Sequence, residues 1–384
     1  MFLKKCLLGF AFTSFISIAA GNIFLGLATA IFLFFSYKDR IEINKEFKGY
    51  YIAYSVFLIV MLLSALFSGD LLKGFKTWAN LCIWRWMPFV IITIMISEFA
   101  SAKKILLFSM FGISVGIVTL IYQGLMGDLR AAGLFGHPMT FAGYFCVFLP
   151  VLLVCFFEKN ILGKFRYVSG ILFLLGCIAL FYNGTRGAWL ALAPVILSVG
   201  TYYMLQDKRY MVLGMVFFIA SGGILLNSDR FVKRISSITN VTTDTSNTER
   251  LLMWESAFNM VKDHPVLGVG LGQYKDNYQK KYILLEAKQP NLSHAHSNYM
   301  QMLAENGLIG FLGFIGLIGY VLVRNINSFI KTRCPYSLII ASSTVALMLQ
   351  GITEYNFGNS AVMKAYWLVL GCILVMKMKD YNYR

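Results

Sequence analysis

Charged residues are scarce in this chain. Asp, Glu, Lys and Arg make up 14% of its 384 residues, whereas hydrophobic residues make up 58%. A soluble globule needs far more polar surface than this composition provides. The sequence therefore excludes a soluble globular protein and predicts one that lies in a membrane.

Acidic residues are scarcer than basic ones, because 18 Asp and Glu are set against 34 Lys and Arg. The net charge of +16 would suggest nucleic acid in a soluble protein, but these cations are distributed among many loops and form no single basic face. We therefore expect no nucleic-acid partner. The chain also lacks any Asp-x-Asp sequence, which argues against a metal-bound nucleotide-sugar site.

Long apolar runs occupy most of the chain, and a helix of about 20 such residues crosses the bilayer hydrocarbon. We predict an all-α polytopic membrane protein with about twelve transmembrane helices and one external, partly helical domain between helices 9 and 10. The predicted spans are 5–20, 22–37, 50–68, 77–97, 105–126, 138–157, 165–182, 187–206, 210–227, 299–323, 335–354 and 360–377. The predicted domains are 1–226 (helices 1 to 9), 227–298 (external) and 299–384 (helices 10 to 12).

Loops rich in Lys and Arg alternate with loops that are poor in them, and cytoplasmic loops are the rich ones. The rich loops contain Lys38, Arg40, Lys45 and Lys48; Lys103 and Lys104; Lys159, Lys164 and Arg166; Lys208 and Arg209; Arg324, Lys331 and Arg333; and Lys377 and Lys379. This pattern predicts that both termini are cytoplasmic and that the 227–298 domain is periplasmic or extracellular. The domain contains no cysteine, so no disulfide framework holds it together.

One candidate site residue is Arg186, in the loop Asn183-Gly184-Thr185-Arg186-Gly187 between two apolar spans. At the level of the lipid headgroups, an arginine either contacts lipid phosphate or belongs to a functional site. The glycines favour a site, because they let the backbone approach a ligand closely. Guanidinium also binds phosphate oxygens bidentately.

A second arginine, Arg250, follows the capping-box pattern Ser246-Asn247-Thr248-Glu249. This pattern predicts a surface helix that starts near Ser246. Arg250 then lies close to the positive end of the helix dipole, which also favours an anion. An ordinary solvated arginine is the alternative interpretation.

Two histidines, His294 and His296, directly precede the predicted span 299–323. They would point the same way on an extended backbone, as a zinc pair requires. His137 and His264 are isolated in the sequence, so no third or fourth ligand is apparent, and we expect no metal and no cofactor. A general base that removes a proton from a hydroxyl fits better, because imidazole titrates near neutrality. An interfacial anchor is the alternative.

Four further residues are candidates for substrate binding. Asn298, Gln301 and Glu305 recur at helical spacing after the histidines, and this polar stripe either orients the base or forms the wet end of a transmembrane helix. Arg85 lies between Trp84 and Trp86 inside an apolar span. Charges there are usually functional, although paired tryptophans also suit an interfacial anchor.

Taken in order, the motifs resemble the O-antigen ligase and polymerase superfamily, most clearly over about residues 133–318. They are Gly133-Leu134-Phe135-Gly136-His137-Pro138, Thr185-Arg186-Gly187, Glu249-Arg250 with Trp254, His264-Pro265-Val266-Leu267-Gly268, and His296-Ser297-Asn298-Tyr299 with Glu305-Asn306-Gly307. The family often has His-Asn directly before the aromatic residue, whereas Ser297 intervenes here. The spacing from Tyr299 favours His296 as the functional histidine. His294 is then a candidate for substrate binding.

The resemblance implies an inverting glycosyltransferase at the periplasmic face of the bacterial inner membrane. Its donor would be a glycan on undecaprenyl diphosphate, and membrane lipids would surround the site. Arg186 and Arg250 would stabilise the departing diphosphate without a metal, and His296 would be the base. A ligase passes the glycan to lipid A-core oligosaccharide, and a polymerase passes it to another repeat unit.

We favour the ligase, because polymerases of this superfamily tend to have two sizeable external loops, whereas the loop that carries Arg186 has only a few residues. A transporter for a lipid-linked glycan is an alternative from another class. Such a protein should have ionisable residues at the membrane midplane and broken helices in repeated halves. The charged candidates here lie at one surface, which favours the enzyme.

Overall fold

The structure is a computed structural model that describes residues 2–38, 42–128, 130–207, 209–210, 236 and 245–380. Within these residues the regular secondary structure is helical, with no strand. The helices before residue 205 are α1 (Phe2–Thr13), α2 (Ile18–Lys38), α3 (Lys45–Leu66), α4 (Leu71–Trp78), α5 (Met87–Met95), α6 (Phe99–Leu125), α7 (Pro138–Phe157), α8 (Lys159–Leu162), α9 (Arg166–Asn183) and α10 (Arg186–Met204). The later helices are α11 (Thr245–Asp263), α12 (Tyr274–Asn277), α13 (Asn298–Thr332), α14 (Pro335–Gln350) and α15 (Ser360–Lys379).

Nine helical segments in the described part of the chain are long and apolar enough to cross a membrane. They correspond to nine of the predicted spans, so an all-α, multi-pass architecture is confirmed in outline. The predicted span 210–227 lies outside the described residues. The 12-residue α1 and the 16-residue α14 stand where spans 5–20 and 335–354 were predicted, and the total of about twelve spans stays a prediction.

The centre of the helical bundle lies at α7 and α15. In each of these two helices, 89% of an apolar stretch of 18 residues is buried, whereas the corresponding share in α2 is 22%. The shorter α14 packs against α7 and α15, and it also contacts α10 and α13. The end of α14 therefore lies in the bundle interior, where a short loop that follows it can meet the other elements of a site.

The long helix α13 is interrupted at Gly307, whose φ of 58° and ψ of −161° are not helical. Gly268 packs against this interruption, since a Cβ on Gly268 would overlap the backbone of Glu305. The Val269 N–H next to it donates to the carbonyl of Ala304 at 2.9 Å. The described part of the predicted external domain is thus fixed, backbone to backbone, to the start of α13.

We expect Gly268→Ala to lower the free energy of unfolding by roughly 2–4 kcal/mol, because its φ of 69° is unfavourable for alanine and the added methyl group has no space. Thermal unfolding of the purified protein in detergent measures this. Gly316→Ala, in α13, is the matched control. Apart from the backbone of its own helix, a Cβ on Gly316 would meet no atom of the described residues within 4 Å. Equal melting temperatures for the two variants would contradict the expected packing.

Candidate active site

A pocket of about 230 Å³ brings the two predicted arginines of the site together. Arg186 is the first residue of α10, and Arg250 lies in the second turn of α11. The other lining residues that matter here are Arg130, Thr185, Gln350 and Glu354. Three guanidinium groups and one carboxyl group therefore surround a single cavity, whose net positive charge favours an anionic ligand.

The turn between α9 and α10 fixes the position of Arg186. The turn is short, as the sequence predicted, because α9 ends at Asn183. Asn183 Nδ2 donates to the carbonyls of Ala131 (3.1 Å) and Pro138 (2.9 Å), which anchors the turn to the loop before α7. Arg186 Nη2 donates to Asn247 Oδ1 at 3.2 Å and so joins α10 to α11.

The predicted surface helix is confirmed as α11, which begins at Thr245, one residue before the predicted start. The two side chains of the predicted capping box have other partners. Ser246 Oγ accepts a hydrogen bond from Arg250 Nη1 at 3.3 Å, and Glu249 Oε1 accepts one from the Lys288 N–H at 2.9 Å. The bond to Ser246 directs the Arg250 guanidinium towards the N-terminal end of α11, where the helix dipole also favours an anion.

His296 lies in a turn with a left-handed backbone (φ 46°), which is uncommon for a residue other than glycine. The preceding residue is held at both of its backbone groups. The Ala295 N–H donates to Gln301 Oε1 at 2.7 Å, and the Ala295 carbonyl accepts from Trp254 Nε1 at 3.0 Å. Gln301 thus positions the histidine turn from α13, and Trp254 does so from α11. Backbone strain that is held by its surroundings in this way is typical of functional sites.

His296 Nδ1 lies 3.2 Å from Glu354 Oε2, and both side chains are largely buried. Burial alone would raise the pKa of Glu354, but the hydrogen bond with His296 and the positive charges of His296 and Arg250 lower this pKa below its usual value. Glu354 is therefore ionised at neutral pH. An ionised carboxylate can only accept a hydrogen bond, so His296 Nδ1 carries the proton in this bond.

His294 supports this arrangement from the other side. Its ring centroid lies 4.2 Å from that of His296, and its Nδ1 accepts from the His296 N–H at 3.3 Å. Burial and the nearby positive charge of His296 lower the pKa of His294 to about 4. His294 is therefore neutral at neutral pH and a weaker base than an ordinary imidazole.

The three side chains of His294, His296 and Glu354 also form a group of possible metal ligands, with one ligand-type atom from each within 4.8 Å of the others. Glu354 is the third ligand that the sequence analysis did not find for the histidine pair. Two imidazoles and a carboxylate can bind Zn²⁺. The geometry therefore allows two chemistries, a hydrogen-bonded base and a three-ligand cation site, which a chelator distinguishes.

Two of the predicted substrate-binding residues, Asn298 and Arg85, hold the loop 351–359, which carries Glu354. Asn298 Oδ1 accepts from the Phe357 N–H at 2.9 Å, and Arg85 Nη1 donates to the Phe357 carbonyl at 2.7 Å. Arg85 follows a π-helical segment, Ala79–Trp84, so the predicted span 77–97 is broken next to it. These bonds indicate a supporting role for both residues, and direct contact with the substrate stays a prediction.

Glu305, the remaining residue of the polar stripe, is buried and binds the first residue of α12. Its Oε1 accepts from the Tyr274 N–H at 2.9 Å. Its backbone carbonyl accepts from Ser64 Oγ at 3.0 Å. These contacts connect α13 to α3 and to the segment after α11, and they are not part of the pocket lining.

Two charged residues of the pocket, Arg130 and Glu354, are not among the site residues predicted from the sequence. Glu354 was assigned to the end of span 335–354, but α14 ends at Gln350 and Glu354 lies in the following loop. One signal was present, because Glu354 is the only acidic residue between Glu305 and Asp380. Arg130 precedes the Gly133 to Pro138 motif by three residues, in a loop to which no role was given.

Comparisons with known proteins agree with the resemblance. Residues 171–315 match the family described as O-antigen ligase, and this stretch includes Arg186, Arg250 and His296. The chain is also 21% identical over 359 residues to an uncharacterized protein of Haemophilus influenzae, in an alignment that covers 86% of this chain and 88% of that protein. The family match confirms the predicted resemblance to the O-antigen ligase and polymerase superfamily. Glu354 and Arg130 lie outside the matched stretch.

Proposed function

We propose that this chain, with its match to the O-antigen ligase family, is an O-antigen ligase: a metal-independent, inverting glycosyltransferase that moves a glycan from undecaprenyl diphosphate to lipid A-core oligosaccharide. One observation carries the proposal. Arg186 and Arg250 line the same pocket as Glu354, and Glu354 is bonded to His296. Cations for a departing diphosphate therefore lie beside a base for an attacking hydroxyl.

In the proposed reaction, the acceptor hydroxyl oxygen attacks the anomeric carbon as His296 Nε2 takes the hydroxyl proton. Glu354 stabilises the imidazolium that forms by accepting the hydrogen bond from Nδ1. The bond between the anomeric carbon and the diphosphate oxygen breaks, and the diphosphate keeps the electron pair. Attack opposite to the leaving group inverts the configuration at the anomeric carbon.

The developing charge on the diphosphate needs fixed donors, which the arginines supply. Arg186 and Arg250 are held by Asn247 and Ser246, respectively, so their guanidinium groups are oriented before the substrate binds. Guanidinium is a bidentate donor to phosphate oxygens. Fixed donors of this kind stabilise a transition state more than mobile ones, because they need not reorganise during the reaction.

The size and position of the pocket suit a substrate whose glycan chain and lipid tail lie outside it. Its volume of about 230 Å³ lies below the roughly 300–1,000 Å³ of typical ligand pockets, so a glycan chain must extend beyond it. The pocket lies where α10 begins and α14 ends, so a polyprenyl tail can extend along the apolar helices into the lipid. We place this end of the bundle at the periplasmic face of the inner membrane, with both termini in the cytoplasm.

The ligase proposal predicts a specific product. Purified protein should move a glycan from undecaprenyl diphosphate onto lipid A-core, and it should not lengthen the lipid-linked glycan when lipid A-core is omitted. Gel electrophoresis and mass analysis of the products measure both reactions. A ladder of extended chains that forms without lipid A-core would assign the protein to the polymerases instead.

A further inference from the structure

We propose that Thr185 and Gln350 form an uncharged half of the diphosphate-binding site, at the N-terminus of α10, and donate hydrogen bonds to phosphoryl oxygens of the lipid carrier. This inference rests on the proposed function, because it takes the diphosphate as the ligand. It assigns two residues that line the same pocket as the arginines and Glu354.

Thr185 carries a buried hydroxyl group beside the pocket. The residue is 3% exposed and precedes the 19-residue helix α10 at the capping position, yet its side chain makes no capping hydrogen bond. Among the residues that the structure describes, its Oγ has no hydrogen-bond partner. An anion at this end of α10 would therefore meet both the hydroxyl group and the helix dipole.

Gln350 has a buried amide nitrogen and stands at the end of a chain of hydrogen-bonded amides. Asn298 Nδ2 donates to Asn356 Oδ1 at 2.7 Å, and Asn356 Nδ2 donates to Gln350 Oε1 at 3.1 Å. This direction of bonding fixes the Gln350 amide with its oxygen towards Asn356. Its Nε2 then remains as a fully buried donor that no group in the described part of the chain satisfies.

Two buried polar groups beside one pocket, both without a partner among the described residues, indicate a ligand. Buried polar groups in folded proteins are nearly always hydrogen-bonded, because an unsatisfied one is costly. The Gln350 amide nitrogen can only donate, and the Thr185 hydroxyl can donate as well. A ligand rich in acceptors and poor in donors satisfies both. Phosphoryl oxygens have this character, and the arginines beside them supply the matching charge.

Gly187 makes the approach to this helix end possible. A Cβ on Gly187 would overlap the Thr353 hydroxyl, so the loop 351–359 packs directly against the first turn of α10. The close packing brings Gln350 and Glu354 to the same pocket as Thr185.

The test is binding of farnesyl diphosphate to the purified protein in detergent, measured by calorimetry without any acceptor. Thr185→Val keeps the shape of the side chain and removes the hydroxyl group, and we expect it to weaken binding roughly tenfold. Thr185→Ser retains a hydroxyl group and should bind like the wild type. Farnesol, which has the same tail and no phosphate, should bind the wild type and Thr185→Val alike.

The melting temperature without ligand separates binding from a structural role. Replacing an unsatisfied hydroxyl group by a methyl group should leave this temperature unchanged or raise it. Gln350→Glu is a second variant, because it keeps the oxygen that Asn356 uses and removes the donor. It should weaken diphosphate binding as well.

Three results would overturn the inference. One is an unchanged affinity of Thr185→Val for farnesyl diphosphate while the wild type binds it. Another is a loss of affinity for farnesol in Thr185→Val that equals its loss of affinity for farnesyl diphosphate. The third is a lower melting temperature that Thr185→Ser restores. If the wild type itself does not bind farnesyl diphosphate, the proposed function fails together with the inference.

Discussion

His296→Ala is expected to reduce glycan transfer by about 10²–10⁴-fold, the range that a positioned general base contributes. The substitution removes the proton acceptor, while Arg186 and Arg250 still line the pocket and can bind the donor. Transfer from undecaprenyl diphosphate to lipid A-core should be measured with purified protein at equal concentration. The loss should appear in kcat, with little change in the affinity for the donor.

Two companion variants make the assignment specific. His294→Ala should have a milder effect, because His294 contacts His296 and Tyr355 but is a weak base. The loss of transfer in Glu354→Gln should lie between the losses in the two histidine variants, since an amide cannot stabilise the imidazolium as a carboxylate does. Normal transfer by His296→Ala, or a larger loss in His294→Ala, would show that the base is assigned to the wrong residue.

The sequence was sufficient to predict the fold class, because apolar runs of membrane length leave few alternatives. It predicted the helix ends less well where local side-chain chemistry decides them. The turn after α1 falls at residues 14–17, before the predicted break. There the hydroxyl groups of Thr13 and Ser14 bond to carbonyl groups one turn back, at 2.7 Å, and such bonds slightly destabilise and often bend a helix. The predicted orientation in the membrane stays a prediction.

The site was predictable as far as its residues belong to contiguous motifs. Arg186, Arg250 and His296 each lie in a short pattern with a recognisable chemical meaning, and the structure brings them to one region. Glu354 has no such pattern around it. Its role depends on a contact with His296, 58 residues away in the chain, and a single sequence carries no information about such pairing.

The polar stripe shows a second limit of the sequence analysis. Helical spacing correctly placed Asn298, Gln301 and Glu305 on the start of one helix, and all three are buried. The spacing could not show which partner each residue binds. Gln301 binds the histidine turn, whereas the other two bind loops from elsewhere in the chain. Tertiary contacts therefore decide which polar residue of a helix acts at the site and which one supports it.

Replacing Arg186 or Arg250 by Lys is expected to reduce transfer by about 10²–10³-fold, the loss that follows removal of one fixed donor to a developing charge. Lysine keeps the positive charge, but it cannot reproduce the bidentate fork or the bonds that now hold these arginines to Asn247 and Ser246. The measurement is again transfer to lipid A-core by the purified variants. Arg209→Lys is the matched control, because Arg209 is an exposed arginine bonded to Asp207, outside the pocket lining.

A chelator completes this experiment, because it tests the other chemistry that the site geometry allows. If the arginines carry the charge of the leaving diphosphate, then EDTA should leave wild-type transfer unchanged, and both lysine variants should lose activity. If a cation held by His294, His296 and Glu354 carries that charge, EDTA should abolish transfer, and the lysine variants should retain most of it. The two mechanisms make opposite predictions for the same samples. Activity that survives both lysine substitutions and disappears with EDTA would therefore replace the arginine mechanism with a metal-assisted one.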